Sequence, residues 1–310
     1  MKSEQFEIAV GNDDIGGASG LVGLRHHLGT PGPRILLTGA VHGDEVTASA
    51  ALWRVAEALP NSGIGGQVTI IPGVNQLAIR GSQRWVPIEG SDLNRQFPGR
   101  RDGSLAERLA AALVRLLDDH DVLIDVHTAA WCTNFVLLDH IPDHNLARRV
   151  VTWAGASGLP VIGEAPAEVS DLQGLNRSWS AWAVGLGKPA VTMELAGFHT
   201  IDVASAEHGA AAVLAMMKAT PAVLAPAPAG ALSVASLCRT EIFADAGGLF
   251  ENARQPGEWV KAGQTIGAIR SLLGQHKASI TAPQDGLILS LPSISAVQVG
   301  AHLVTLAIKA

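Results

Sequence analysis

Residues 34–59, RILLTGAVHGDEVTASAALWRVAEAL, decide how this chain folds. The apolar run from Arg34 to Thr38 reads as a short buried strand, and the polar VHGDE that follows reads as a turn. Val46, Ala50, Trp53 and Val55 then supply an apolar stripe at helical spacing, which stops before Pro60 and a glycine-rich turn. A strand, a loop and a helix in that order form the building unit of an α/β sheet.

The same texture continues on both sides. Upstream, Phe6 to Val10 and Leu21 to Leu28 read as strands; downstream, Gln67 to Pro72 reads as another. Asn75 to Arg101 is a long irregular stretch rich in Arg, Gly and Pro, and segments of that kind are usually functional. Ser104 and Glu107 form a capping-box signature that predicts a helix from Leu105 to about Asp118. Further strands are expected at Asp121 to His127, Asn134 to Leu138 and Pro189 to Leu195, with helices over Asn145 to Ala156 and in WSAWAVGLG. Apolar strands alternating with helices predict a mixed, largely parallel sheet flanked by helices. Around PAVLAPAPAGALS the composition turns to Pro and Ala, as in an interdomain linker. From Ser233 onward short strand-like runs with glycine turns replace any helical period, which predicts a small all-β module. The division expected is a catalytic domain over 1–222, a linker over 223–229 and a C-terminal β-domain over 230–310.

Composition narrows the function. The chain has 310 residues, 47% of them hydrophobic and 16% charged, enough for one large globular domain and a small one. A net charge of -6 argues against a nucleic-acid partner, which would need a clustered basic surface. No apolar stretch approaches the roughly 20 residues that span a bilayer, and the amino terminus has no basic stretch leading into an apolar one. A cytoplasmic protein with a small-molecule partner and no membrane partner is therefore expected; a homo-oligomer is compatible with the sequence. The two cysteines, Cys132 and Cys238, form neither a CxxC pair nor a disulfide scaffold and read as core thiols.

Four polar clusters stand at or just past strand ends, where open α/β sheets place ligands: His42-Gly-Asp-Glu45, Asp92-Leu-Asn-Arg95, Asp125-Val-His127 and Glu194. An imidazole and a carboxylate at i, i+3 on a strand-to-helix turn can reach one zinc ion, and His127 from a neighbouring strand would leave the fourth position open. The competing reading makes HxxE a surface turn and His127 a core histidine. Glu194 sits inside the apolar strand VTMELA, where a carboxylate is costly unless paired, metal-linked or protonated. It suits a general base, or alternatively a salt bridge to an arginine of the 80–101 stretch. Asn94 and Arg95 suit capture of a substrate carboxylate, unless Asp92 and Arg95 merely staple the loop. Arg84 could polarise a scissile carbonyl. Asp125 either orients His127 or caps a neighbouring helix.

Taken together and in order, GAVHGDE, DLNRQFPG, IDVHTA and VTMELAG resemble the succinylglutamate desuccinylase and aspartoacylase family, relatives of the zinc carboxypeptidases. The resemblance spans most of the chain. It implies a zinc carboxypeptidase-like catalytic domain with one zinc ion on His42, Glu45 and His127, Glu194 as the catalytic glutamate, and Asn94 and Arg95 at the substrate carboxylate. Arg84, with Arg80 as rival, would assist at the carbonyl. The implied reaction is deacylation: zinc-activated water, deprotonated by Glu194, attacks the amide of an N-acyl amino acid or similar small carboxylate-bearing amide. The alternatives are a carboxypeptidase acting on small peptides and a non-catalytic small-molecule-binding protein on the same fold.

The tail resembles the family's C-terminal β-domain, which abuts the active-site opening, and has a cadence similar to lipoyl and biotinyl carriers of the barrel-sandwich type. Lys277 lies near their carrier lysine but closer to the following proline than their pattern places it. One departure bears on substrate: the sequence contains no tyrosine, whereas aspartoacylase and the carboxypeptidases use a tyrosine hydroxyl at the substrate.

Overall fold

The computed structural model describes residues 1–12, 17–129, 131–164, 171, 174–225 and 237–309. In chain order the elements are β1 (Lys2–Asn12), β2 (Ala18–His27), β3 (Arg34–Gly39), α1 (Val46–Ala58), β4 (Gln67–Ile71), α2 (Gln76–Gly81), α3 (Leu105–Asp118), β5 (Val122–Ala129), β6 (Trp131–Cys132) and β7 (Phe135–Leu138). There follow α4 (His144–Gly155), β8 (Val161–Gly163), α5 (Trp179–Gly185), β9 (Ala190–Ala196) and α6 (Val203–Leu224). The remainder is all β: β10 (Leu237–Phe243), β11 (Gly248–Asn252), β12 (Trp259–Val260), β13 (Thr265–Arg270), β14 (His276–Thr281), β15 (Gly286–Leu291), β16 (Ala296–Val297) and β17 (His302–Lys309).

Among the described residues one sheet runs in the order β1-β2-β4-β3-β5-β9-β7-β8-β10-β17-β15-β12. Its centre, β4-β3-β5-β9, is parallel; β7 runs antiparallel to β9, and β8 and β10 continue in parallel with β7. The central strands β3 and β5 are buried residue after residue instead of alternately, so both their faces are covered. Helices α1 and α6 pack on each other and against this centre, while α3 lies against β1 and β2. The resulting core holds Leu36, Leu52, Leu113, Ile124, Val191 and Met216, all fully buried.

Several expectations differ from what the chain does. The irregular stretch after Asn75 contains helix α2, capped by the Asn75 side chain accepting from the Ala78 amide at 3.3 Å. Helix α6, 22 residues long, has no counterpart in the sequence reading, because it is apolar nearly all round and carries Pro221. Its buried residues form one stripe, but the exposed side carries Val203, Ala204, Ala211, Ala222 and Leu224 among few polar groups, so no polar face marks the period. Of the expected linker, Val223 and Leu224 finish α6, and residues 226–229 lie outside the described residues. No helix among the described residues is long and apolar enough to cross a membrane.

The C-terminal strands form two layers. A four-stranded sheet, β14-β13-β11-β16, shares a core with β17 and β15 built on Phe250, Val260, Ile266, Ile269, Leu303 and Leu306. These strands are also hydrogen-bonded into the main sheet, through β8 with β10 and through β6 with β15. The second layer thus extends the catalytic sheet and supplies the far side of its cavity. Lys277 is exposed inside strand β14, not at a hairpin tip.

Candidate active site

The turn after β3 brings the first two polar residues inward. Ala40 adopts φ +49, a left-handed conformation that a residue with a Cβ enters at a cost of about 1–2 kcal/mol. Gly43 is pressed against α2 so closely that a Cβ there would sit 2.0 Å from the Ala78 carbonyl carbon. The strained turn and the tight seat hold His42 and Glu45 over the end of the sheet, where both are buried. His127 arrives from β5 and Glu194 from β9, at paired positions of adjacent parallel strands.

The four residues line one cavity of about 520 Å³ together with Arg84, Asn94 and Arg95. Glu45 stands between the two imidazoles: its Oε1 lies 2.7 Å from His42 Nδ1 and its Oε2 2.9 Å from His127 Nδ1. The outer nitrogens meet carboxylates as well, His42 Nε2 with Asp92 at 3.1 Å and His127 Nε2 with Asp125 at 2.7 Å. The amide of Thr128 donates to Glu45 Oε2 at 3.1 Å.

This donor set fits a divalent cation. One ligand atom from each of His42, Glu45 and His127 falls within 4.8 Å of the others. A carboxylate at both nitrogens of each ring demands a proton at all four positions unless a cation takes the inner ones. A divalent ion replaces the two inner protons charge for charge, and the outer carboxylates then hold the rings as Nε2–H donors, the usual support of metal-bound histidine. Burial alone would depress the pKa of His127, yet Asp125 and Glu45 on either side hold it well above the ordinary histidine value. Burial likewise works to raise Glu45, and His42 and His127 outweigh it, holding its carboxyl well below the usual range.

The other expected residues find definite partners. Asp125 is fully buried; besides His127 it accepts from Thr38 Oγ1 at 2.6 Å, which in turn accepts from Trp179 Nε1 at 3.2 Å. It meets the His127 ring and, among the described residues, caps no helix. Asp125→Asn keeps the shape but leaves an amide where His127 needs an acceptor. Metal affinity should fall about 10–100-fold, measured by competition with a chelator.

Asp92, whose stapling to Arg95 was the competing account of this loop, holds Arg84: its Oδ2 accepts from Nη2 at 2.9 Å and from Nε at 3.3 Å, while its Oδ1 meets His42 and the Asn94 amide. Burial opposes ionisation of Asp92, and His42 and Arg84 prevail, keeping it well below the usual carboxylate range. Arg84 Nη1 is 3.5 Å from Glu45 Oε1, beside the candidate metal position. Its rival Arg80 is exposed in the last turn of α2 and lies outside the cavity lining. Asn94 is fixed by accepting from the Trp179 amide at 2.8 Å, which leaves its amino group to donate toward the cavity. Arg95 Nη1 donates to the Asn94 carbonyl at 2.9 Å. Glu194 forms no ion pair with an arginine among the described residues. Burial pushes its pKa above the ordinary glutamate value, with His127 opposing the rise and Glu45 adding to it.

The cavity also takes residues that the sequence reading passed over: Asp139, Glu164, Arg239, Glu241 and His302. His302 lines it from β17. Asp139 and Glu164 directly follow β7 and β8, so the strand-end rule that singled out His127 was the signal available for them. The residues from β10 and β17 carried no such signal, because their part in the cavity depends on the C-terminal strands joining the main sheet.

Comparison with known proteins places the fold among relatives. The chain is 35% identical over 133 residues to the N-alpha-acetyl-L-2,4-diaminobutyric acid deacetylase of Halomonas elongata, a match covering 42% of this chain and 39% of that protein. Among solved structures, a succinylglutamate desuccinylase/aspartoacylase from Rhodobacter sphaeroides superposes with a TM-score of 0.82 at 23% identity, covering 99% of this chain and 95% of that one. The product-bound ectoine utilization protein EutE (DoeB) of Ruegeria pomeroyi does so with the same score, identity and coverage. A metallo-carboxypeptidase of Burkholderia cenocepacia superposes less fully, with a TM-score of 0.51 at 17% identity over 70% of this chain and 65% of that one. Residues 31–220 match the succinylglutamate desuccinylase/aspartoacylase catalytic domain, and the chain belongs to that family.

Proposed function

We propose that this protein is a zinc-dependent deacylase that hydrolyses the N-acyl amide bond of an N-acyl amino acid or a similar small carboxylate-bearing amide. The observation that carries this reading is the convergence of His42, Glu45 and His127 within 4.8 Å, with Glu194 paired to His127 across adjacent strands of the same cavity. Two histidines and one carboxylate form a donor set that suits zinc and leaves a coordination position open. The Halomonas relative, named for removing an acetyl group from an amino acid, supports the N-acyl class.

The residues divide the work as follows. A zinc ion held by His42, Glu45 and His127 would supply Lewis acidity to water and to the scissile carbonyl. Glu194, whose proton affinity is raised by burial, takes a proton from the attacking water and returns it to the departing nitrogen. The guanidinium of Arg84, anchored on Asp92, faces the oxygen on which charge develops. Asn94 and Arg95 grip the substrate carboxylate, so that the amide is presented to Glu194 in a fixed orientation. The strands β10, β15 and β17 line the far side of the cavity and limit the size of what enters. Under this reading the protein acts in the cytoplasm on a small molecule.

A panel of N-acetyl, N-formyl and N-succinyl amino acids against dipeptides, read by amine release alongside elemental analysis of the purified protein, tests it. Release of amine from the acyl amino acids with about one zinc per chain is the expected result. Preference for dipeptides would make the protein a carboxypeptidase, and absence of stoichiometric metal would remove the mechanism.

A further inference from the structure

Among the described residues, four other than glycine hold a left-handed backbone: Ala40, Ser82, Ile88 and His199. Two of them meet. Ser82, at φ +46, ends α2, and His199, at φ +59, lies in the turn after β9, with Ser82 Oγ 2.9 Å from His199 Nδ1. Both residues are exposed, so neither side chain serves the core. Glycine would enter the same conformation without the steric cost that a Cβ brings. A strained conformation persists only where its surroundings fix it, and such positions gather at functional sites.

The surroundings here are three segments that carry the site. The His199 amide donates to the Asp44 carbonyl at 2.9 Å, inside the turn that bears His42 and Glu45. One residue past Ser82, the Gln83 carbonyl accepts from the Gly43 amide at 3.0 Å, in that same turn, and Arg84 comes next. His199 thus holds the turn of His42 and Glu45 with its backbone and the approach to Arg84 with its side chain. Its own turn is firmly seated: Thr47 Oγ1 accepts from the Asp202 amide at 3.0 Å and donates to the Thr200 carbonyl at 3.2 Å. Gly197 packs so closely there that a Cβ would lie 2.3 Å from the Thr47 hydroxyl. The tip of Arg84 is tied to Asp92, but its backbone belongs to the irregular segment between α2 and Asp92. A shift of that backbone would carry the guanidinium away from the cavity.

We propose that His199, acting through Ser82, is a positioning residue: the bond between them sets the backbone of Arg84 against the turn of His42 and Glu45, and with it the guanidinium at the oxygen on which charge develops. The effect on turnover rests on the deacylase reading for the role of Arg84; the clamp itself rests on the contacts alone.

His199→Gly and Ser82→Gly each remove the bond and also relieve the left-handed strain. The denaturation midpoint and the metal content should therefore stay at wild-type values. Turnover should not: kcat should fall roughly tenfold, within the 10²-fold that a displacement of about 1 Å can cost. KM should change little, since the substrate carboxylate is assigned to Asn94 and Arg95. The double variant should lose no more than either single one, and in an Arg84→Ala background His199→Gly should cost nothing further. His199→Asn should restore most of the activity, because its amide reaches Ser82 from the place of Nδ1 and asparagine tolerates the left-handed backbone. Hydrogen exchange supplies a readout that needs no turnover. The amides of Gly43 and Gln83, bonded to the Gln83 and Ala78 carbonyls and outside the substituted turn, should exchange faster in His199→Gly and at the wild-type rate in His199→Asn. Wild-type kcat in both glycine variants, a loss of kcat matched by loss of metal or stability, a loss undiminished in the Arg84→Ala background, or unchanged exchange at Gly43 and Gln83 would overturn the proposal. If the wild type turns over no acylated amino acid, the deacylase reading fails. Faster exchange in His199→Gly would then still uphold the clamp, and unchanged exchange would overturn it too.

Discussion

Glu194→Gln leaves zinc bound at about one equivalent per chain and lowers kcat by roughly 10²–10⁴-fold, the range that general acid–base groups contribute. Glu194 is not part of the three-residue donor set, so the metal should stay in place. The amide is isosteric with the carboxyl, and among the described residues Glu194 has no ion pair to lose, so the fold should be preserved. What disappears is the proton acceptor. Steady-state kinetics with elemental analysis on the same preparation checks this, and full activity in the variant would remove Glu194 from the base role. KM should change little, because substrate carboxylate binding is assigned to Asn94 and Arg95, which the substitution does not touch.

His127→Ala should be more damaging, because it removes a metal ligand and also breaks a buried charge network. His127 lies between Asp125 and Glu45, at 2.7 and 2.9 Å, with side-chain exposures of 3%, 0% and 5%. Without the imidazole, two buried carboxylates lose their shared counter-charge, and breaking such a pair costs about 3–5 kcal/mol. The variant should purify with far less than stoichiometric metal, show no turnover above background and unfold at lower denaturant concentration than the wild type. Wild-type metal content in His127→Ala would exclude this residue as a ligand.

Legibility of the site differed sharply from one residue to another. His127 and Glu194 could be picked out because each interrupts an apolar strand, where polar groups are costly and need a reason, and His42 and Glu45 because they sit on the turn just past one. Asp125 was visible as a neighbour of His127, and the structure adds the contact between the two on one side of β5. Asp92 was seen within its motif but its partners were not. Its contacts with His42, 50 residues earlier, and with Arg84 depend on how the loop after α2 folds back. Asp139 and Glu164 were within reach of the strand-end rule, but β8 is three residues long and lacks a distinct pattern. Helix α6 escaped because much of its exposed side is as apolar as its buried stripe, which removes the contrast by which surface helices are found.

The sequence by itself determined the α/β sheet, the capped helix from Leu105, the all-β tail and three of the polar clusters near strand ends; the fourth, Asp92–Arg95, lies in a 3-10 turn beyond α2 and not at a strand end. All of these follow from local periodicity, capping chemistry and the cost of a polar group in an apolar strand. Only the tertiary structure decided which outer carboxylate serves which imidazole, that Arg84 and not Arg80 borders the site, and that β10 and β17 complete the cavity. Those relations join residues tens to hundreds of positions apart. They arise from strand register and from the joining of the C-terminal strands to the main sheet, and hydrophobic pattern along the chain carries no record of which distant strands will pair.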